Sequence, residues 1–349
     1  MEREPQDVSA GIVSVGVYLP KQYATAAEIA QKAGIPEDII KTKMGWRGKY
    51  VPGPDDHCVP MGVWAAQDAL NQTDISPDDI DAILCTQDEY RDYLLQLAGP
   101  KLAYELGAHR AWSVDLSQRC GSMIGALKIA KDMIIADNDI NTVLIAGGYR
   151  NGDLIDYGNP RTRFLIGLGA GGGAFLVRRD YPRNHILGSA MIVDGSFADD
   201  VIVPAGGTRI PITKEALDKR LHYADIADPE GMRERLNVVT LNNFSKVIRD
   251  ALSRSGCSEE ELGFLALVHM KRSFHDHMLR EFGLRDDQSI YLEDYAHTGH
   301  MDMPILMKLG LESGCINDGT VIALVSAGIG WTWGATVVRW GQPAPAKRM

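Results

Sequence analysis

Short runs of aliphatic and β-branched residues recur along the whole chain, most of them followed by a stretch with helical spacing. In the first half these runs are GIVSVGVYLP, DAILCTQ, AWSVDL, NTVLIAGG and GGGAFLVRR. In the second half they are HILGSAMIVDG, LGFLALVHM, SIYLEDYA, GTVIALVSA and WGATVVRW. Runs this apolar suit strands covered on both faces, and their alternation with helices predicts an α/β protein. Helices are expected over about 26–33, 63–70, 100–106, 121–135, 241–255, 273–282 and 303–313. Thr25 with Glu28 three residues later fits a capping box at the first of them. Both halves follow the order strand, helix, strand, polar turn, helix, strand, and 182–184 makes a plausible seam. Two halves, 1–182 and 183–349, are therefore expected. The stretch 198–228 carries little periodicity and reads as an excursion near the active site or a dimer surface.

Composition narrows the partners. The formal charge is -10 with Lys and Arg scattered, so nucleic acid is not an expected partner. The N-terminal MEREPQDVSAG is charged and lacks the apolar core of a secretory leader. No stretch approaches the roughly 18 apolar residues of a membrane helix. The cysteines at 58, 85, 120, 257 and 315 are odd in number and irregularly spaced, without a CxxC pair. That speaks against a disulfide framework and against a zinc knuckle, and implies a reducing, cytoplasmic location with no bound metal.

Two residues stand where chemistry is often done. Cys120 lies where AWSVDL gives way to a helix opening with Gly121 and Ser122. A helix N-terminus offers free N–H groups and a partial positive charge, which favour negative charge on sulfur and on a developing oxyanion. A lone cysteine there is equally at home as a small buried apolar residue. Cys85, Cys257 and Cys315 take that plain reading. His269 ends the strand-like LGFLALVH, which would deliver its imidazole to the carboxyl edge of a sheet, where ligands gather in α/β folds. His275 and His277 follow within the next helix and read as surface residues. The glycines of GLGAGGGAFLV precede a strand rather than a helix, so no nicotinamide cofactor is inferred.

Four segments in order resemble the ketoacyl synthase III branch of the thiolase superfamily: AWSVDLSQRCGSMIGALKIAKDMI, LGFLALVHMKRSFHDHMLREFGL, IYLEDYAHTGHMDMPILMKL and SAGIGWTWGATVVRW. MGWRGKY resembles that family's Gly-Ile-x-x-Arg segment, and GLGAGGGAFLV its Gly-Asp-Gly-Ala-Gly-Ala strand. The resemblance covers nearly the whole chain. It implies a thiolase fold of two similar α/β halves in an α-β-α-β-α layering, the first carrying the nucleophile and the second the catalytic histidines. It further implies that Cys120 takes an acyl group from a coenzyme A or acyl-carrier-protein thioester, and that the enzyme is a homodimer.

Carried over residue by residue, the resemblance makes His269 the catalytic histidine and the N–H of Ile329, between Gly328 and Gly330, the second oxyanion donor beside that of Cys120. Setting Pro304 on the family's helix proline puts His297 where the family has Asn, with Gly299 and Asp302 accompanying it; His300 is a rival for the same role. A Cys-His-His set is compatible with decarboxylative condensation, because neutral imidazole N–H groups can hold an enolate. Branches with this altered segment also transfer acyl groups without forming carbon–carbon bonds. Trp46, Arg47 and Lys43 lie where relatives meet the adenine or phosphate end of coenzyme A, and Lys271 and Arg272 where they receive the pantetheine arm or carrier. Glu89 sits in a loop comparable to one that carries a base in hydroxymethylglutaryl-CoA synthase. Leu94, Leu95 and Leu97 of that loop are candidates for a partner's pocket wall. Hydrolysis of a thioester or β-diketone, and a non-catalytic subunit paired with a homologue, are the alternatives.

Overall fold

A computed structural model describes residues 8–342; residues 1–7, part of the charged N-terminal segment read above, lie outside them. The first half contains β1 (Ala10–Tyr18), β2 (Gln22–Thr25), α1 (Ala26–Ala33), β3 (Gly48–Val51), α2 (Cys58–Leu70), β4 (Ala82–Thr86) and α3 (Ala98–Leu106). It continues with β5 (Trp112–Leu116), α4 (Ser122–Ala136), β6 (Thr142–Tyr149) and β7 (Gly171–Arg179). The second half contains β8 (His185–Val193), β9 (Val201–Ile202), α5 (Lys214–Asp218), β10 (Asp225–Ile226) and α6 (Pro229–Arg254). It ends with β11 (Leu262–Leu267), α7 (Arg272–Glu281), α8 (Asp302–Glu312), β12 (Val321–Gly328) and β13 (Thr332–Arg339).

The main sheet runs β11-β12-β13-β8-β1-β7-β6-β4-β5. It falls into two blocks that repeat one plan. From the centre outward, β1 pairs antiparallel with β7, β7 antiparallel with β6, and β6 parallel with β4. In the other block β8, β13, β12 and β11 repeat those senses in that order. The blocks join where Gly11 pairs with His185 and Ile12 exchanges hydrogen bonds with Asn184. Helix α2 packs on β1, β7 and β6; α4 and α8 each touch strands of both blocks; α6 packs on β8, β13 and β12. The resulting layers are helix, sheet, helix, sheet, helix, which places α4 and α8 in the middle of the molecule.

The glycines of β7 explain how the central layer sits so close. Successive residues of a strand face opposite sides. A Cβ on Gly172 would lie 2.0 Å from the Met61 carbonyl oxygen of α2, and one on Gly173 would lie 2.3 Å from Pro304 of α8. The strand is thus pressed between two helices, and α8 carries the loop that holds His297. At the other end, Thr25 and Glu28 form the expected capping box of α1.

Several expectations are corrected. SIYLEDYA is not a strand; only Ser289 bridges to Leu265, and the rest is irregular apart from a turn over 293–295. Helix α2 begins at Cys58 and α6 at Pro229, both earlier than their apolar spacing indicated. His275 is a buried residue, 5% exposed, with its ring edge-on to Tyr291. No helix among the described residues is long and apolar enough to cross a membrane.

Candidate active site

Cys120 lies in a tight turn between β5 and α4. Arg119 takes a left-handed φ of 53°, Gly121 N–H donates to the Gln118 carbonyl at 3.0 Å, and the Ser122 hydroxyl donates to the Arg119 carbonyl at 2.7 Å. The Gln118 N–H in turn donates to the Ser122 hydroxyl at 2.8 Å. From the second block, the Ser326 hydroxyl donates to the Cys120 carbonyl at 2.6 Å. The cysteine itself is 7% exposed.

His297 reaches the sulfur from the other half of the chain, with Nε2 3.1 Å from Cys120 Sγ. Its backbone is fixed by the glycine segment: the Gly169 N–H donates to the His297 carbonyl at 2.8 Å, and the His297 N–H donates to the Gly167 carbonyl at 3.2 Å. Its other ring nitrogen, Nδ1, stands 2.7 Å from Asp302 Oδ2. Burial opposes charge on this ring, but the Asp302 carboxylate and the Cys120 sulfur outweigh it and hold the imidazole well above its ordinary pKa.

Asp302 is fully buried and collects three donors. Besides the His297 ring, it accepts the Thr298 N–H at 2.7 Å and the His269 N–H at 2.9 Å. One carboxylate therefore ties the His297 loop to the end of β11. The His269 ring lies against Tyr291, at 4.9 Å between centroids, and neither of its nitrogens has a partner among the described residues. Burial, only partly opposed by Asp302, brings its pKa down to about 4, so the ring is neutral and carries one free N–H.

The turn between β12 and β13 closes the site. A Cβ on Gly328 would fall 2.2 Å from the Gln118 carbonyl oxygen, so the turn that holds Ile329 lies directly against the turn that holds Cys120.

The other expected residues are placed less uniformly. His300 is fully buried, with Nε2 3.3 Å from the Thr86 carbonyl oxygen, and of the two rival histidines only His297 meets the sulfur. Glu89 is exposed and ion-paired with Arg119, so its carboxylate is engaged at the surface beside the nucleophile turn. Trp46 is 3% exposed, in the core against Gly167, where its indole has no free face for a base; the adenine-stacking expectation is corrected. Arg47 is held bidentate by Asp294, at 2.7 Å from Nε, with Glu293 alongside, so it is not a free cation for phosphate. Lys43 and Lys271 are exposed, and Arg272 lies over the Tyr291 ring with its guanidinium on Asp276. Gly45 adjoins both Tyr291 and the Arg272 backbone, so these basic residues share one rim near His269. Leu94, Leu95 and Leu97 are exposed in the single chain. Among the described residues no group of three or more His, Cys, Asp or Glu side chains is arranged to hold a metal.

Sequence reading had marked Asp302 only as a companion of His297. Its spacing, five residues past the histidine and at the first turn of α8, is the signal that could have given it the larger role. Ser326 carried no signal, because its value depends on a contact across the two halves.

Family models match two segments of the chain. Residues 114–195 match 3-oxoacyl-[acyl-carrier-protein] synthase III, and residues 252–340 match the C-terminal part of the same family. The beta-ketoacyl-[acyl-carrier-protein] synthase III of Symbiobacterium thermophilum is 25% identical, over 95% of this chain and 98% of that protein. The same-named protein of Solibacter usitatus is 26% identical, over 95% and 98%. Among solved structures, the Aquifex aeolicus 3-oxoacyl-[acyl-carrier-protein] synthase III superposes with a TM-score of 0.78 at 22% identity, over 95% of this chain and all of that one. Xanthomonas campestris OleA, with bound lauric acid and lauroyl-CoA, gives 0.80 at 18% identity, over 95% and 99%. With the same layered fold, and with family matches spanning both the Cys120 turn and the two histidines, this chain is a ketoacyl synthase III-like member of the thiolase superfamily, a family of acyltransferases and condensing enzymes.

Proposed function

We propose that the enzyme works through an acyl-cysteine on Cys120, loaded from a coenzyme A or carrier-protein thioester, and passes the acyl group to an acceptor whose O–H or N–H proton is taken by His297. The observation that carries this reading is the chain Cys120–His297–Asp302, with contacts of 3.1 and 2.7 Å. In the first half-reaction His297 takes the thiol proton, the sulfur attacks the thioester carbonyl, and the departing thiolate receives that proton. The N–H groups of Cys120 and Ile329 would hold the oxyanion. In the second, the acceptor loses its proton to His297 and attacks the acyl carbonyl; the cysteine leaves and is reprotonated. An imidazole bound to a carboxylate is suited to move protons, because the carboxylate fixes its tautomer and stabilises the imidazolium.

Decarboxylative condensation is the second reading, and the neutral His269 ring with no partner favours it. Its free N–H would stabilise a thioester enolate formed from a malonyl-type donor. The basic rim of Lys43, Lys271 and Arg272 supports an anionic thioester as donor. The exposed apolar side chains of β5 and of the Glu89 loop support a homodimer. Free thiols at all five cysteines are in keeping with a cytoplasmic enzyme.

The test is intact-protein mass spectrometry after incubation with a panel of acyl-CoA thioesters. An acyl adduct is expected on the wild type and none on Cys120→Ala. Adding malonyl-CoA, or a set of alcohols and amines, then separates condensation from transfer. Asp302→Asn should slow transfer by roughly 10²-fold or more, as loss of the orienting carboxylate does in related triads. Release of free acid without an acceptor would instead establish hydrolysis, and no adduct with any thioester would sink the acyl-cysteine reading.

A further inference from the structure

Beside Cys120 lies a group of buried polar atoms that acyl transfer itself does not use. Strands β5, β4 and β6 run parallel and adjacent, so the residues just past their carboxyl ends share one edge of the sheet. Cys120 follows β5, Asp88 follows β4, Tyr149 ends β6, and Asn151 lies just beyond. His300 comes to the same place from the loop before α8, its ring edge-on to Tyr149 with centroids 5.7 Å apart. Tyr149 is buried with its ring against Gly299, two residues beyond His297, whose Nε2 stands 3.1 Å from Cys120 Sγ, so nucleophile and cluster adjoin the same short loop.

The unmet atoms of Asp88, Asn151 and His300 are all acceptors; Gln87, which also follows β4, has an unpartnered amide that offers a donor as well as an acceptor. Asp88 is 3% exposed and makes no ion pair among the described residues. Its Oδ2 accepts the Asn151 Nδ2–H at 2.7 Å, while its Oδ1 has no partner among the described residues. The Asn151 Oδ1 is also buried and unpartnered. The fully buried His300 ring meets the Thr86 carbonyl through Nε2, which must therefore carry the proton; its Nδ1 is left as a bare lone pair with no partner. A buried acceptor left without a donor is destabilising, and a carboxylate most of all. A plain alkyl chain has no donor to offer.

Resting on the acyl-cysteine reading above, we propose that the acyl group taken by Cys120 is short and carries a terminal hydrogen-bond donor, a hydroxyl or an ammonium, received by Asp88, Asn151 and His300. Asp88 is then the specificity-determining residue, because it alone among the three brings a charge. A ketoacyl synthase III-like enzyme so equipped discriminates against simple fatty acyl groups of the same length. The discrimination has a physical basis beyond fit: an alkyl terminus would leave three acceptors dry, whereas a donor satisfies them.

Three thioesters of equal length test this: 3-hydroxypropionyl-CoA, β-alanyl-CoA and butyryl-CoA. Acylation of Cys120 is followed by intact mass for the wild type, Asp88→Leu and the near-isosteric Asp88→Asn, with thermal melts to establish folding. The wild type should acylate at least about 10-fold faster with one or both donor-bearing thioesters than with butyryl-CoA, a factor equal to 1.4 kcal/mol. In Asp88→Leu the ratio should collapse toward one. Should that variant not fold, Asp88→Asn must erase a preference for β-alanyl-CoA. A β-alanyl preference makes Asp88 a counter-ion, and a 3-hydroxypropionyl preference makes it a hydroxyl acceptor. Butyryl-CoA reacting as fast as both others, or a ratio unmoved by substitution of Asp88, would overturn the inference while leaving the acyl-cysteine intact. Absence of acylation by all three and by longer acyl-CoA thioesters would remove the intermediate and the inference together.

Discussion

Two histidines share one carboxylate yet are driven in opposite directions. Asp302 meets His297 through its ring and His269 only through its backbone N–H. The first ring is consequently stabilised in its charged form, and the second keeps the penalty of burial. The consequence for stability follows from proton linkage. Unfolded His269 titrates near its ordinary value of 6.5, and folded His269 only at about 4. Between those values the unfolded chain binds more protons, so this residue's contribution is intact above pH 6.5 and is lost as pH falls toward 4. The full loss is on the order of 3 kcal/mol. Urea unfolding of the wild type and His269→Gln, stepped from pH 7 to pH 4, should show the wild type losing about that much more than the variant. His297→Gln should behave oppositely: the stability it removes is full below pH 6.5 and fades as pH rises through the raised folded value. Parallel curves for wild type and His269→Gln would show that the ring is not buried as described.

At the scale of elements, the site depends on two turns from different halves lying in contact. The 2.2 Å approach that a Cβ on Gly328 would make is to a backbone oxygen, which cannot rotate away. Gly328→Ala should therefore shift the turn between β12 and β13 off the Cys120 turn while leaving both strands paired. If an oxyanion donor is displaced, acylation should slow by roughly 10²–10³-fold. Acylation rates with circular dichroism as the folding control would check this, and a variant that folds and acylates normally would detach the two turns. Legibility in the sequence follows the same division. Runs such as NTVLIAGG and GTVIALVSA announced strands because burial on both faces leaves no polar residue to interrupt them. The first turns of α6, PEGMRERLNVV, hid because only Met232 of them is buried among residues that face solvent. SIYLEDYA imitated a strand through its aromatic and β-branched residues, although no neighbouring strand runs along it beyond Ser289. Cys120 and His269 were readable because each stands at a break between elements, whereas His297 was marked only through the family resemblance, with His300 as its rival. Asp88 and Asn151 were not, since their significance arises only where β4 and β6 lie side by side.

On the scale of the whole molecule, one of the two edges of the main sheet, that of β5, has no neighbouring strand among the described residues. β5 is the last strand of the sheet, and on one of its faces Trp112 and Val114 are 51% and 37% exposed. Nearby in the chain, Leu94 and Leu95 project with 81% and 103% exposure. An edge strand with apolar side chains and unpaired N–H and C=O groups is a template for pairing with another strand, and soluble proteins ordinarily blunt such edges with charge. A second copy of the chain, presenting its own β5, would satisfy the backbone groups and cover the apolar residues at once, in the self-complementary manner of a two-fold interface. Multi-angle light scattering should then give the wild type twice the chain mass of 38.2 kDa at micromolar concentration. Placing like charges on the edge with Trp112→Lys and Val114→Lys together should shift it to a single chain. The same variant reports on the loop before α3: if leucines from one protomer wall the pocket of the other, the separated chain stays folded but loses acylation by Cys120. A wild type that runs as a single chain yet acylates fully would place the complete site within one protomer and leave the open edge without that partner.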